Sequence, residues 1–245
     1  MEWADEAVVL GVRAHGEHAM VLDVLTRSHG RHAGLVRGGA SRKLRADLQP
    51  GNSLHVVWRA RLAEHLGSFA TEPIRVRSGA LIEARERLIG LNAFTGVVHA
   101  ALPEREPHAG VFEAGLVLLD AMIAANTTDW LALYVRWEIG LLTELGFGLD
   151  LSCCAATGVR EDLTHVSPKS GRAVSSAAAA PYRDRLLKLP AFLLGAQNAV
   201  GPGDIQAGLA LTEHFLAHRV FYPHGQDLPS ARLQLQELVD RLKDI

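Results

Sequence analysis

The sequence predicts a two-part α+β protein, in which a small five-stranded β-barrel precedes an all-α domain that carries an irregular insertion. Three observations predict this fold class. Short β-branched runs fill the first 77 residues, apolar residues at helical spacing begin at Ser78, and residues 150–180 follow neither period. We therefore expect a barrel domain over residues 1–78 and a helical domain over residues 79–245.

The barrel is predicted from five runs with partial apolar alternation, separated by glycine, histidine and charged residues typical of turns. These runs lie near Glu6–Arg13, Ala19–Arg27, His32–Arg37, Ser53–Arg61 and His65–Arg77. A five-stranded Greek-key barrel is the architecture of the OB-fold, which often binds single-stranded nucleic acid. The first domain is therefore predicted to be an OB-fold.

The second half is predicted to be helical because its apolar residues recur at spacings of three and four. Helices are expected near residues 84–102, 109–125, 127–145, 182–187, 190–196, 203–221 and 230–243. Thr127–Asp129 supplies N-cap candidates for the third of these helices, and Gly146–Gly148 a C-cap. Trp130, Tyr134 and Trp137 share one face, which favours a core position over a peptide groove beside Arg136. Between residues 150 and 180, the Ser, Thr, Gly and Ala content predicts an irregular insertion.

Charge is distributed unevenly along the chain. The formal net charge of the 245 residues is -2, but residues 1–77 contain 11 Lys+Arg against 8 Asp+Glu, a net of +3. The only cysteines, Cys153 and Cys154, are adjacent and predict no disulfide framework. No apolar run reaches the roughly 18 residues that a membrane span needs, and no basic secretory leader begins the chain. A cytoplasmic protein without a membrane partner is expected.

The strongest candidate site is a basic stretch between Val24 and Arg61, where eight cations face one carboxylate, Asp47, for a local net charge of +7. The predicted DNA-binding residues are Arg27, Arg31, Arg37, Arg42, Lys43, Arg45, Arg59 and Arg61. Cations of this kind follow a phosphate chain without distinguishing its sequence. The alternative is a solvated basic face that binds nothing. Trp58 could stack a base, but its alternation with Leu54 and Val56 favours the core.

Catalytic chemistry finds little support in the sequence. His214 and His218 lie four residues apart, a possible metal-ligand spacing, but without the His-Glu-x-x-His order. Phosphate-binding and dinucleotide glycine motifs are absent, as is the Gly-x-Ser-x-Gly motif, and no carboxylate pair suggests an acid and a base. We expect a protein that is not an enzyme and needs no cofactor. A hydrolase would require a cluster of titratable groups in a pocket.

Several segments together resemble the RecO family. The N-terminal ones are Thr26–Arg31 (TRSHGR), Gly34–Arg42 (GLVRGGASR) and Leu48–Gly51 (LQPG), and the later ones are Asp150–Gly158 (DLSCCAATG) and Val166–Gly171 (VSPKSG). They occur in the family's order over most of the chain.

The resemblance implies an OB-fold joined to a helical domain with a zinc-binding insertion in many relatives. It also implies a mediator of DNA repair and recombination that binds single- and double-stranded DNA and anneals complementary strands. The implied partners are the acidic tail of single-stranded-DNA-binding protein and RecR, with which the protein would load RecA. A cytoplasmic, nucleoid-associated protein is expected. The alternative from a different class is a protein–protein adaptor whose barrel is structural and has no direct DNA role.

The sequence departs from the family at the implied metal site. Four ligands are needed for tetrahedral Zn²⁺, and the family's positions fall on Cys154, Thr157, Ser175 and Ala178. Only Cys154 can ligate zinc there. We therefore expect a degenerate, zinc-finger-like insertion that is held by packing and hydrogen bonds.

Overall fold

The computed structural model describes residues 1–195 and 199–242. The chain divides into two compact units, Met1–Ala124 and Ala125–Ile245. Strands give way to helices between Arg75 and Ser78, close to the expected change at residue 78. The compact units divide later, because the helices up to Ala124 pack with the strands in the first unit.

The first unit contains the five predicted strands, and their presence is confirmed. They are β1 (Glu2–His15), β2 (Ala19–Thr26), β3 (Gly30–Val36), β4 (Ser53–Arg59) and β5 (Ser68–Arg75). The strands close into a barrel in the order β1-β2-β3-β5-β4, with β4 also paired to β1. All pairs are antiparallel except β3 and β5, which are joined in parallel at Leu35 and Ser68.

Alternation along the strands fills the barrel interior. The buried residues of this core are Ala7, Val9, Leu22, Val24, Val36, Leu48, Leu54, Val56, Trp58 and Phe69. Trp58 is 2% exposed, and its indole nitrogen donates a hydrogen bond to the carbonyl of Leu66 at 3.0 Å. The core interpretation of Trp58 is therefore confirmed, and base stacking on its ring is excluded.

Four helices complete the first unit: α1 (Arg42–Asp47), α2 (Ser78–Ile82), α3 (Arg85–Ala101) and α4 (Ala109–Ala124). Helix α3 packs against β1, and α4 packs against β2. The outward side chains Val21 and Leu25 of β2 are consequently buried. Helix α1 lies inside the basic stretch, where the sequence predicted no helix.

The second unit begins with α5 (Thr127–Glu144). Its N-cap is Asn126, whose side chain accepts a hydrogen bond from the backbone N–H of Asp129. The expected cap within Thr127–Asp129 is therefore wrong by one residue, because Asn126 is the residue with extended backbone angles. The predicted C-terminal signal is confirmed, since Gly146 adopts a φ of 83° directly after the helix.

The insertion is more regular than the sequence suggested. Strands β6 (Leu163–Val166), β7 (Ala173–Ser175) and β8 (Leu187–Lys188) form a sheet in the order β7-β6-β8, and α6 (Ser176–Ala179) follows β7. The predicted irregular structure over residues 150–180 is therefore wrong in part. Short 3-10 turns span Ala180–Arg185 and Ala191–Leu194, whereas Ala196 lies outside the described residues.

The unit ends with α7 (Pro202–Phe215), a π-helical turn (Leu216–Phe221) and α8 (Ser230–Leu242). Lys243, the expected end of the last helix, lies outside the described part of the chain. The core contains Trp130, Tyr134 and Trp137, each at most 3% exposed, which confirms their core interpretation. Among the helices of residues 1–195 and 199–242, none is long and apolar enough to cross a membrane.

Candidate nucleic-acid interface

The connection between β3 and β4 carries four exposed cations, Arg37, Arg42, Lys43 and Arg45, which we call the loop cluster. None of the four has an ion-pair partner within the part of the chain that the structure describes. Side chains in this state remain free to neutralise the phosphates of a polyanion.

Buried groups hold the loop cluster in place on the barrel. The Asn52 amide donates hydrogen bonds to the carbonyls of Ala46 and Asp47 at 3.1 and 3.0 Å. Its side-chain oxygen accepts from the backbone N–H groups of Arg77 and Ser78. Asn52 therefore ties the end of α1 to the start of α2, so that the cations project from an anchored segment.

Glycine is required where this segment leaves the barrel. Gly38 has a φ of 69°, in the left-handed region that favours glycine. A Cβ added to Gly39 would lie 2.9 Å from a side-chain carbon of Met20 and 3.1 Å from the carbonyl oxygen of Val36. The chain can thus turn closely against β2 and β3 before the cations of α1.

A groove of about 470 Å³ brings two of the predicted cations together. Arg37 and Arg59 line it, together with Leu44 of α1, Val57 of β4 and Ala70 of β5. Arg59 is paired to Glu2 at 2.8 Å, but both side chains are more than half exposed. An exposed pair of this kind contributes little, so Arg59 can exchange Glu2 for a phosphate.

Two other predicted cations are engaged within the first unit. Arg27 pairs with Glu6 at 2.6 Å and with Glu113 of α4. Arg31 is 12% exposed and contacts the carboxylates of Asp23 and Glu104. Both residues fix the covering helices to the barrel and are poorly placed for a phosphate chain.

Arg61, the last predicted cation, lies exposed in the turn between β4 and β5. The structure thus places Arg37 and Arg59 on one groove, and α1, which carries Arg42, Lys43 and Arg45, borders that groove through Leu44. Sequence reasoning missed Asn52 and Leu44. The signal for Asn52 was its place in the turn Pro50–Asn52, and the signal for Leu44 was an apolar residue between two cations.

Of the four metal-site positions, Thr157 and Ser175 lie within hydrogen-bonding distance of the Cys154 sulfur. Cys154 is buried, and its sulfur accepts a hydrogen bond from the hydroxyl of Ser175 at 3.4 Å. Hydrogen bonds from Ser175 and Thr157 lower the pKa of the Cys154 thiol to about 6. Ala178 offers no ligand atom. One thiol with two hydroxyls does not fit tetrahedral zinc, which binds four nitrogen, sulfur or carboxylate donors.

The adjacent cysteine and the histidine pair are engaged elsewhere. Cys153 accepts a weak contact from Arg172 at 3.8 Å. The rings of His214 and His218 stack 4.2 Å apart and contact the carbonyls of Pro168 and His214, respectively. No group of three or more His, Cys, Asp or Glu side chains is placed to hold a metal within residues 1–195 and 199–242.

These features define a class of protein: a five-stranded barrel with an anchored, exposed cationic loop, joined to a helical unit. The comparisons identify the family within that class. Residues 1–77 match the family model described as Recombination protein O N terminal, and residues 82–227 match Recombination protein O C terminal. The chain belongs to the RecO family.

Curated relatives agree over nearly the whole length. The chain is 52% identical to the DNA repair protein RecO of Cereibacter sphaeroides, over 98% of this chain and 100% of the relative. It is 50% identical to the DNA repair protein RecO of Rhodospirillum centenum, over 99% of this chain and 95% of the relative. It is also 51% identical to the DNA repair protein RecO of Phenylobacterium zucineum, over 100% of this chain and 98% of the relative.

Proposed function

We propose that the protein acts in DNA repair and recombination by binding DNA rather than by catalysing a reaction. The observation that supports this most directly is the loop cluster, whose four cations are exposed and anchored beside the groove of Arg37 and Arg59. Relatives that carry the name DNA repair protein RecO support the biological role.

We further propose that the barrel is an OB-fold. A closed, five-stranded barrel with the order β1-β2-β3-β5-β4 is consistent with that assignment. OB-folds combine a basic groove with contacts to single strands. In this protein one strand of DNA would lie along the uncovered outer face of β4 and β5. Helix α1 would add Arg42, Lys43 and Arg45 to the phosphate contacts.

The proposed mechanism is charge neutralisation. Single strands repel one another through their phosphates, and cations that replace counterions reduce this repulsion. Two strands held near the loop cluster can then start to pair, which would anneal complementary single strands and also permit binding of duplex. We include the acidic tail of single-stranded-DNA-binding protein, RecR and the loading of RecA in the proposal, on the strength of the family resemblance.

The test is the salt dependence of binding to a fluorescent single-stranded oligonucleotide. For single strands, each phosphate contact contributes about 0.7 to the slope of log affinity against log salt. The variant Arg37→Ala/Arg42→Ala/Lys43→Ala should therefore bind more weakly and lose up to about 2 units of slope.

The matched control is Arg183→Ala/Arg185→Ala/Lys188→Ala, which removes the same three charges from exposed positions of the second unit. It should keep the wild-type slope. If the loop-cluster variant kept the wild-type slope as well, the barrel would be structural and the adaptor role would replace DNA binding. Annealing of complementary oligonucleotides, followed by energy transfer, should slow in the loop-cluster variant alone.

A further inference from the structure

A second cavity lies on the outer face of the barrel, away from the groove of Arg37 and Arg59. It has a volume of about 520 Å³, within the range of small-ligand sites. Its lining comes from β1, β2, β3 and from one face of α3, where Asn92, Thr95, Gly96 and His99 follow helical spacing. We call it the Asp23 pocket.

Two carboxylates line the pocket, those of Asp23 and Glu104, and Asp23 lies in the middle of a row of small residues. Asp23 on β2 pairs with Gly11 on β1 and with Ala33 on β3, so the three side-chain positions point to the same side of the sheet. A Cβ added to Gly11 would meet nothing within 4 Å. Space is therefore left on the Gly11 side of the Asp23 carboxylate. Leu10 and Val21 are apolar residues of the pocket lining.

One oxygen of Asp23 is engaged and the other is not. Its Oδ2 contacts Nδ1 of His99 at 2.8 Å and a guanidinium nitrogen of Arg31 at 3.4 Å. Its Oδ1 is buried and has no hydrogen-bond partner within the described residues. Burial raises the pKa of Asp23 although Arg31 lies beside it. A buried acceptor without a donor is unfavourable, and a ligand N–H in the adjoining cavity would relieve that cost.

The position of the loop cluster next to β3 indicates which ligand could supply the N–H donor. The outward residues of β3 are Arg31, Ala33 and Leu35, and Arg37 of the loop cluster follows directly after the strand ends at Val36. At about 3.3 Å per residue of extended chain, Ala33 and Arg37 lie at most roughly 13 Å apart. A nucleic-acid strand whose phosphates contact Arg37 can therefore place a base over the pocket.

We propose that the Asp23 pocket holds one unpaired nucleobase of the bound strand by its exocyclic amino group. Adenine and cytosine carry amino donors that suit the free carboxylate oxygen, whereas thymine presents a carbonyl oxygen at the corresponding position. The flat ring would lie between the sheet face and α3, with Asn92 available for its acceptors. This inference rests on the proposed function, because it requires a single strand on the barrel.

The experiment compares oligo-dT with oligo-dT of the same length that carries one central dC, by competition against a fluorescent strand. A hydrogen bond to a charged group predicts roughly tenfold tighter binding of the dC strand by the wild type. Gly11→Val places its Cβ in open space. It should occupy part of the cavity and equalise the affinities for the two oligonucleotides, while binding of oligo-dT stays unchanged because the loop cluster is intact.

Asp23→Asn provides a second, independent variant. Its amide oxygen can keep the contact with Arg31, which places the amide NH₂ where Oδ1 was. The variant should therefore lose the preference for dC and favour thymine, whose carbonyl accepts from the new donor. The matched control, Asp227→Asn at an exposed position of the second unit, should keep the wild-type preference.

The outcomes separate this inference from the proposed function. Equal wild-type affinity for the two strands, with binding intact, overturns the pocket alone. A preference for dC that survives Gly11→Val or Asp23→Asn also overturns it. Failure to bind either oligonucleotide overturns both the pocket and the DNA-binding role.

Discussion

The buried ion pair between Glu138 of α5 and Arg232 of α8 should make the second unit sensitive to the loss of either partner. Both side chains are 0% exposed. Nε of Arg232 donates to Oε1 of Glu138 at 2.6 Å, and a second guanidinium nitrogen donates to Oε2 at 3.0 Å. The hydroxyl of Thr212 also donates to this carboxylate, and Arg232 donates to the carbonyl of Leu209 at 3.0 Å. The pair thus joins α5, α7 and α8.

Removing one partner should cost far more than removing both. Arg232→Met leaves the Glu138 carboxylate buried and uncompensated, which predicts a loss of about 3–5 kcal/mol in the free energy of unfolding. Glu138→Leu alone leaves the Arg232 guanidinium buried without a carboxylate and should lower the free energy of unfolding by a similar amount. The double variant buries no charge, so we expect it within about 1 kcal/mol of the wild type, with a coupling energy of about 5 kcal/mol or more.

The assay is native-state hydrogen exchange at increasing urea, read from amides of α5 and α7. These amides report the second unit separately, and amides of the barrel strands provide the internal control because neither substitution lies in the first unit. If Arg232→Met lowered the free energy by less than about 1 kcal/mol, the charge would not be buried in solution. Strict additivity of the two single variants would equally refute the coupling.

Three further predictions concern individual side chains. Gly67→Ala should destabilise the first unit by about 2 kcal/mol or more, because Gly67 has a φ of 64° and its Cβ would lie 2.4 Å from the Trp58 indole nitrogen; urea unfolding measures this. Ser175→Ala should raise the pKa of the Cys154 thiol above about 6, because it removes a hydroxyl donor; the Cβ chemical shift against pH reports it. Burial raises the pKa of Asp23 above 3.8, so the native state binds the proton more tightly than the unfolded chain. Stability should therefore be greatest below pH 3.8 for this group and fall as pH rises through the raised pKa, and Asp23→Asn should remove that fall in urea midpoints.

Each of these predictions has a result that contradicts it. A Gly67→Ala variant as stable as the wild type would show that the turn can move away from Trp58. An unchanged titration of Cys154 in the Ser175 variant would assign the lowered pKa to Thr157 and the backbone N–H groups. A wild type and an Asp23→Asn variant with parallel stability profiles would place the Asp23 carboxylate in contact with water.

The five strands could be predicted because a closed barrel needs apolar residues at alternate positions on every strand. The ends were less accurate. β1 begins at Glu2, earlier than the predicted Glu6, because charged residues on its outward side obscure the alternation. β6, β7 and β8 were missed because they have four, three and two residues, too few to show a period. The cap of α5 was misplaced because Asn126 precedes a row of other residues able to cap.

The candidate site shows a different limit of sequence reasoning. Counting charges identified all eight cations of the basic stretch, but it could not show which of them meet a carboxylate. Glu113 and Glu104, the partners of Arg27 and Arg31, lie more than 70 residues further along the sequence. Only the packing of α3 and α4 on the barrel brings these charges together.

This packing also explains why Arg27 and Arg31 are paired with carboxylates while the cations of the loop cluster are not. Where helices cover the outer face, a cation must be paired because an unpaired charge there would be desolvated; Arg31 satisfies this with Asp23 and Glu104. The β3–β4 connection is not covered, so Arg37 and Lys43 need no partner and remain available to a polyanion. The same sheet face that neutralises Arg31 leaves one oxygen of Asp23 without a donor. Phosphate binding and base recognition are therefore expected to separate along β3, with charge at its C-terminal end and the carboxylate pocket beside its middle.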